Sequence, residues 1–217
     1  MRIGITTQEI SHPNYAETGY FLSRSWYGFF SQIGMDLVPL NNLQQLNDEM
    51  SENRLDGAIL SGGGDISKFF PVKRKGSQIK NNQIPERELI EASLIEICML
   101  KKLPLIGVCR GMQAIGLYFG LRLVDVAGHV NTQHKVDFYC PITNQFHERN
   151  LNSFHNFAFR ESDFNETFRS HISVDGFVEF MTGYHNTFLG IMWHPERYRN
   201  FDKHDIALFK SFFGKKI

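Results

Sequence analysis

The segment Leu105-Ile106-Gly107-Val108-Cys109-Arg110-Gly111-Met112-Gln113 constrains the fold of this chain more than any other. A short apolar run ends at a cysteine that has one glycine two residues before it and another two residues after it. That spacing is the G-x-C-x-G form of a nucleophile elbow. On such a turn the chain passes sharply from strand to helix, and glycines keep neighbouring side chains clear while the nucleophile projects at the sheet edge. A cysteine placed there sits at a helix N-terminus, where free N–H groups and the helix dipole favour the anionic thiolate. Taken alone, a cysteine between glycines is more often a small buried residue. Far downstream, however, Trp193-His194-Pro195-Glu196 supplies a base and a carboxylate to orient it. Cysteine, histidine and carboxylate are the parts of an acyl-transfer triad, which makes Cys109, His194 and Glu196 the candidate catalytic residues.

The rest of the chain supplies a frame for that elbow. Short apolar runs at 2–6, 35–39, 56–60 and 104–108 alternate with helical patterns at about 20–34, 42–52, 85–101 and 111–119. This alternation predicts βαβ units and an α/β fold with a mostly parallel central sheet flanked by helices in three layers. The helix from Pro85 has proline and two glutamates in its first turn and Lys101-Lys102 at its end, as the helix dipole favours. Val178–Met181 and Thr187–Trp193 read as strands joined by a turn at Gly183–Asn186, leading into His194. A last amphipathic helix over Lys203–Phe213 turns Ile206, Leu208, Phe209, Phe212 and Phe213 inward. Trp26, Tyr27, Phe29 and Phe30 are expected in the core, with Tyr20 and Arg24 facing the pocket entrance. With 217 residues and no repeats, the whole chain, 1–217, is read as one domain.

A second strand, Asp56–Leu60, ends in Ser61-Gly62-Gly63-Gly64-Asp65, whose backbone N–H groups suit an oxyanion. The run lacks both the G-K-[S/T] and the G-x-G-x-x-G forms, so neither a P-loop nor a Rossmann nucleotide site is indicated. With the elbow and the His-Pro-Glu segment in this order, the chain resembles the class I glutamine amidotransferase superfamily over nearly its whole length. Within it the wording is most similar to the stand-alone gamma-glutamyl hydrolase, peptidase C26-like branch. The segments carrying that likeness are Ser61–Asp65, Pro85-Glu86-Arg87, Cys109–Gln113, Asn152-Ser153-Phe154-His155 and Trp193–Glu196. The resemblance implies a flavodoxin-like three-layer fold and an oxyanion hole made by the backbone N–H groups of Gly63 and Arg110. It also implies a glutamyl site that uses Gln113, Ser153, Phe154 and His155. Arg87 and Glu91 match a charged pair on the helix before the elbow, where i,i+4 spacing also lets them pair with each other.

Charge and cysteine usage narrow the function classes. Lys plus Arg and Asp plus Glu both number 23, so net charge gives no case for nucleic acid or an anionic membrane. Three cysteines, at 98, 109 and 140, form no C-x-x-C pair, which excludes a disulfide framework and suits a reducing cytoplasm. Cys98 and Cys140 are read as structural. The chain opens on a strand-like run with no signal-peptide pattern and carries no apolar stretch of about 20 residues, so no membrane span or export is expected. His129, His134, His147 and His155 show neither H-E-x-x-H nor other tight ligand spacing, so no metal and no cofactor are expected. The polar stretch Ser67–Gln83, with Lys73, Arg74 and Lys75, is a candidate substrate-side loop whose cations would suit a phosphorylated leaving group.

Three functions compete. The first is a cysteine-dependent hydrolase that removes glutamate from a small gamma-glutamylated molecule through a glutamyl thioester. The second is a glutaminase subunit that passes ammonia to a separate synthetase partner. The third is an inactive regulatory version of the fold, which the intact Cys109, His194 and Glu196 argue against. Among hydrolases, the chain is similar to those acting on gamma-glutamyl-CDP-amidate during capsule modification, with gamma-glutamyl-gamma-aminobutyrate as the rival substrate. A homodimer is permitted but not required by the neutral, aromatic-rich composition.

Overall fold

The computed structural model describes residues 1–68, 70–71 and 84–214. Lys73, Arg74 and Lys75, and most of the candidate loop around them, lie outside the described residues. The central sheet starts with β1 (Arg2–Thr6), which pairs in parallel with β4 (Asp36–Leu40) on one side and β5 (Gly57–Leu60) on the other. β6 (Leu105–Val108) pairs in parallel with β5, and β13 (Phe188–Ile191) pairs in parallel with β6. β12 (Phe177–Gly183) and β11 (Phe168–Val174) continue the sheet antiparallel, giving the order β11-β12-β13-β6-β5-β1-β4.

The inner strands are apolar on both faces because both faces are covered. Successive side chains alternate sides. Ile59, Ile106 and Val108 therefore enter one core with Trp26, Phe29, Phe30 and Phe209, while Ala58, Leu60 and Leu105 enter the other with Leu46, Leu94, Ile95 and Ile115. The helices α1 (Arg24–Ile33) and α5 (Lys203–Phe213) cover the first face; α2 (Leu43–Ser51), α3 (Glu86–Lys101) and α4 (Arg110–Tyr118) cover the second. The expected three-layer architecture is the observed one.

Two expectations at the first helix need correction. The helix starts at Arg24 rather than near residue 20, because the Ser23 hydroxyl accepts the Ser25 N–H and caps it. The residues before it form β3 (Thr18–Phe21), paired antiparallel with β2 (Gln8–Ser11). Tyr27 is not core: the helical period buries Trp26, Phe29, Phe30 and Ile33 and leaves Tyr27 about half exposed. Tyr20 lies on that hairpin, its hydroxyl 3.5 Å from Glu86 Oε2.

Outside the main sheet, β8 (Val130–Cys140) and β9 (Gln145–Phe154) form a long two-stranded hairpin. Val136, Phe138, Cys140 and Leu151 pack from it into the first core. β7 (Leu123–Asp125) pairs with β10 (Phe157–Phe159). Among the described residues, no helix is long and apolar enough to cross a membrane.

Candidate active site

The C-terminal ends of the adjacent parallel strands β5, β6 and β13 bring the three sequence signals to one sheet edge, where open α/β sheets bind ligands. Cys109 follows β6 with φ 50° and ψ −105°, a conformation that non-glycine residues rarely adopt. Its N–H donates to the Ile191 carbonyl at 2.7 Å, and α4 begins at the next residue. A Cβ on Gly111 would lie 1.9 Å from the Leu60 oxygen, and one on Gly107 would lie 2.6 Å from the Gly111 backbone. Both glycines are therefore what lets the helix approach the sheet closely enough to make the elbow.

His194 faces this turn, and a Cβ on Gly62 would fall 2.4 Å from its Cε1. Its Nδ1 lies 2.8 Å from Glu196 Oε1, and its ring also hydrogen-bonds to Cys109. The short turn Pro195–Arg197 returns Glu196 to the imidazole. Burial alone would lower the His194 pKa, but the hydrogen bonds and charges of Cys109 and Glu196 outweigh it and raise the pKa to about 9. The histidine backbone is clasped from the hairpin: Asn152 Oδ1 accepts its N–H at 2.8 Å, and Asn152 Nδ2 donates to its carbonyl at 2.9 Å. Beside it, Trp193 Nε1 donates to Asp205 Oδ1 at 3.0 Å, and Arg149 holds Asp205 by two bonds of 2.8 Å.

The glycine run is held by Arg87. Its guanidinium donates to the carbonyls of Ser61 at 2.7 Å, Gly62 at 3.1 Å and Gly63 at 2.6 Å, and to Glu91 at 2.9 Å. Burial and the nearby Arg110 pull the Arg87 pKa down to about 10 against the effect of Glu91, which leaves it charged at neutral pH. Because a trans peptide is planar, turning the Gly62 carbonyl toward Arg87 turns the Gly63 N–H the opposite way. The Arg110 side chain is buried against Glu88 and Glu91, leaving its backbone N–H as the group at the helix start.

A cavity of ≈ 120 Å³ is lined by Cys109, His194, Gly63, Arg110, Gln113, Phe154 and His155. Ser153 is not with them. It is fully buried, and its hydroxyl donates to the His129 carbonyl at 2.6 Å, so any contact it makes with a ligand passes through its backbone. Gln113 Nε2 donates to the Phe157 carbonyl at 2.9 Å. His155 Nδ1 lies 3.1 Å from that same oxygen, while its Nε2 turns away to Glu179. Sequence reasoning missed Asn156, Phe157 and Arg197 on the cavity wall. Arg197 directly follows the His-Pro-Glu segment, and its guanidinium stacks over Phe154 at 4.8 Å. An adjoining cleft of ≈ 440 Å³ shares Gly63, Gly64, Asp65 and Arg110 and adds Gln8, Glu86 and Ser67.

Three of the four histidines with no local ligand spacing meet in space: His129, His134 and His155 gather with Glu179. His147 instead packs against Phe138 and His204. Spacing along the chain hides this group because its members come from the residue before β8, β8 itself, the turn after β9, and β12.

Comparison with known proteins agrees with this geometry. The Peptidase C26 family model matches residues 3–196. The chain is 32% identical to the gamma-glutamyl-CDP-amidate hydrolase of Campylobacter jejuni over 217 residues, covering 99% of this chain and 98% of that one. It is 23% identical, over 88% of both chains, to a putative glutamine amidotransferase-like protein, YvdE, of Lactococcus lactis. Among solved structures, a putative GMP synthase subunit from Thermoplasma acidophilum superposes with a TM-score of 0.68 at 18% identity, covering 99% of this chain and 92% of that one. A chain of the PurLQS structure from Thermotoga maritima gives 0.62 at 16% identity over 98% and 97%. These two likenesses place the fold among the class I glutamine amidotransferase folds. From the family match and the near-complete alignment, the chain belongs to the Peptidase C26 family and is a glutamine amidotransferase-like amidohydrolase.

Proposed function

We propose that the protein hydrolyses a gamma-glutamyl amide through a thioester on Cys109. The observation that carries this reading is the convergence of Cys109, at a strand-to-helix turn, with His194, whose Nδ1 lies 2.8 Å from Glu196 Oε1, on one cavity. The raised pKa of His194 favours the imidazolium at neutral pH. The Cys109 thiolate attacks the gamma-carbonyl, and the oxygen that gains charge is met by the N–H groups of Gly63 and Arg110. When the C–N bond breaks, His194 gives its proton to the leaving nitrogen. The neutral imidazole then takes a proton from water; the hydroxide attacks the thioester, sulfur leaves as thiolate, and glutamate is released with the histidine proton restored.

The small cavity suits the glutamyl group, with Gln113 and Phe154 along its wall and Arg197 as a cation for the α-carboxylate. The larger cleft would take the leaving group. The full-length likeness to a gamma-glutamyl-CDP-amidate hydrolase supports a nucleotide phosphoramidate as that group. The test is glutamate release by the purified chain from gamma-glutamyl-CDP-amidate, gamma-glutamyl-gamma-aminobutyrate and L-glutamine, with Cys109→Ala as control. Fast turnover of the CDP-amidate conjugate supports the full reading. Preference for the aminobutyrate conjugate keeps the hydrolase and replaces the leaving group. Slow turnover of glutamine alone would favour an ammonia-delivering subunit that needs a synthetase.

A further inference from the structure

We propose that His129, His134, His155 and Glu179 form a binding site for a single divalent transition-metal cation of the zinc class, which fixes the wall of the catalytic cavity. The inference does not rest on the gamma-glutamyl reading. The donor atoms of the four side chains lie within 4.8 Å of one another. His129 Nδ1 is 3.3 Å and His155 Nε2 is 3.2 Å from Glu179 Oε1. A tetrahedral metal with bonds of about 2.0–2.1 Å sets neighbouring ligand atoms roughly 3.4 Å apart, so the two contacts to Glu179 already have that spacing and the wider pairs would close on the ion.

The hydrogen-bond inventory points to a cation rather than to an internal network. A carbonyl can only accept, so His155 Nδ1 must carry the proton shared with the Phe157 oxygen. In the neutral ring, Nε2 then presents a lone pair to a carboxylate oxygen that also only accepts. Protonating His155 would resolve that one contact. It would leave His129 Nε2, His134 Nε2 and Glu179 Oε2 buried without a hydrogen-bond partner. Glu179 is fully buried, and His129 and His155 are 1% and 3% exposed, so water does not relieve the mismatch cheaply. One cation that takes a lone pair from each of the four side chains relieves most of it.

The surroundings also match a metal centre. Ligating histidines usually anchor their other nitrogen to a carbonyl or carboxylate. His155 does so at Phe157, and His129 Nε2 lies 3.8 Å from the exposed Asp175 carboxylate. Three imidazoles with one carboxylate suit zinc or a neighbouring transition metal rather than magnesium or calcium, which prefer all-oxygen shells. Gln113 and His155 meet on the same Phe157 oxygen, so a metal holding His155 to Glu179 on β12 would also hold the turn that lines the cavity.

The test uses the full chain carrying Cys109→Ser, which removes the only thiol among the cavity-lining residues as a competing ligand. After chelator treatment, Co²⁺ is titrated and followed by visible absorption and thermal melting. The expected result is one equivalent bound with an intense tetrahedral spectrum, displacement by Zn²⁺ but not Mg²⁺, and a higher Tm. His134→Gln, at the least buried ligand, and Glu179→Gln should each weaken binding by about 10-fold or more. Absence of stoichiometric binding to the folded Cys109→Ser protein, or binding unchanged in His134→Gln, would overturn the proposal. Because the first titration needs no ligand variant, misfolding of Glu179→Gln does not decide the matter.

Discussion

Two buried polar groups sit on either side of the turn Phe154–Phe157, and they are built in opposite ways. From Cys109 through His194 to Glu196 Oε1, each hydrogen-bond donor meets an acceptor. Around Glu179, three imidazoles crowd one carboxylate and leave several polar atoms without a partner. The first group pairs its imidazole with a carboxylate and can move a proton. The second gathers three imidazoles on one buried carboxylate, a donor set that fits a cation. Burial makes both sharp, because an unpaired polar group away from water costs about 1–3 kcal/mol.

The largest separation of the two should come from the nucleophile. Cys109→Ala is expected to lower kcat by at least about 10⁴-fold in single-turnover assays while leaving metal-dependent melting intact. Glu196→Gln should follow, with a loss of about 10²–10⁴-fold. It should also move the alkaline limb of the kcat/KM profile downward, since Glu196 helps raise His194. Asn152→Ala frees the His194 backbone, and a loss of up to about 10²-fold in kcat is expected with little change in KM. A dominant rise in KM would instead make Asn152 a substrate contact. In the intact enzyme, kcat/KM should fall as the pH passes about 9 and His194 loses its proton. The raised value also contributes to folding: that stability is complete below the unfolded histidine value of about 6.5 and is lost as the pH rises through about 9.

What could be read in the sequence divides along the same line. The elbow, the glycine run and the His-Pro-Glu segment are local patterns, each ending an apolar strand, and parallel pairing of β5, β6 and β13 was enough to unite them. α5 spans its expected range, Lys203–Phe213, because Asp202 caps it and its apolar residues keep the helical period. The β8–β9 hairpin was hard to read because the first half of β8 is largely polar and has no buried position, which leaves only Val136, Phe138 and Cys140 to carry the strand alternation. With it went the roles of Asn152 and Arg149, which act across 42 and 56 residues. Where the Ser153 hydroxyl points was not legible for a related reason: a strand-end motif does not say which face a residue takes, and this hydroxyl faces His129. The histidine group was invisible to ligand-spacing rules because it forms only when that hairpin packs against β12.

The central claim, that Cys109 carries the glutamyl group, is tested most directly by acid-quenching the enzyme during turnover of its preferred substrate and measuring its intact mass and peptide map. Cys98 is a built-in control, fully buried and with its pKa pushed up to about 12 by desolvation. One added glutamyl group is expected on the peptide containing Cys109, absent in Cys109→Ala. Hydrolysis that proceeds with no adduct in single-turnover time courses, or an adduct on Cys98 or Cys140, would contradict it.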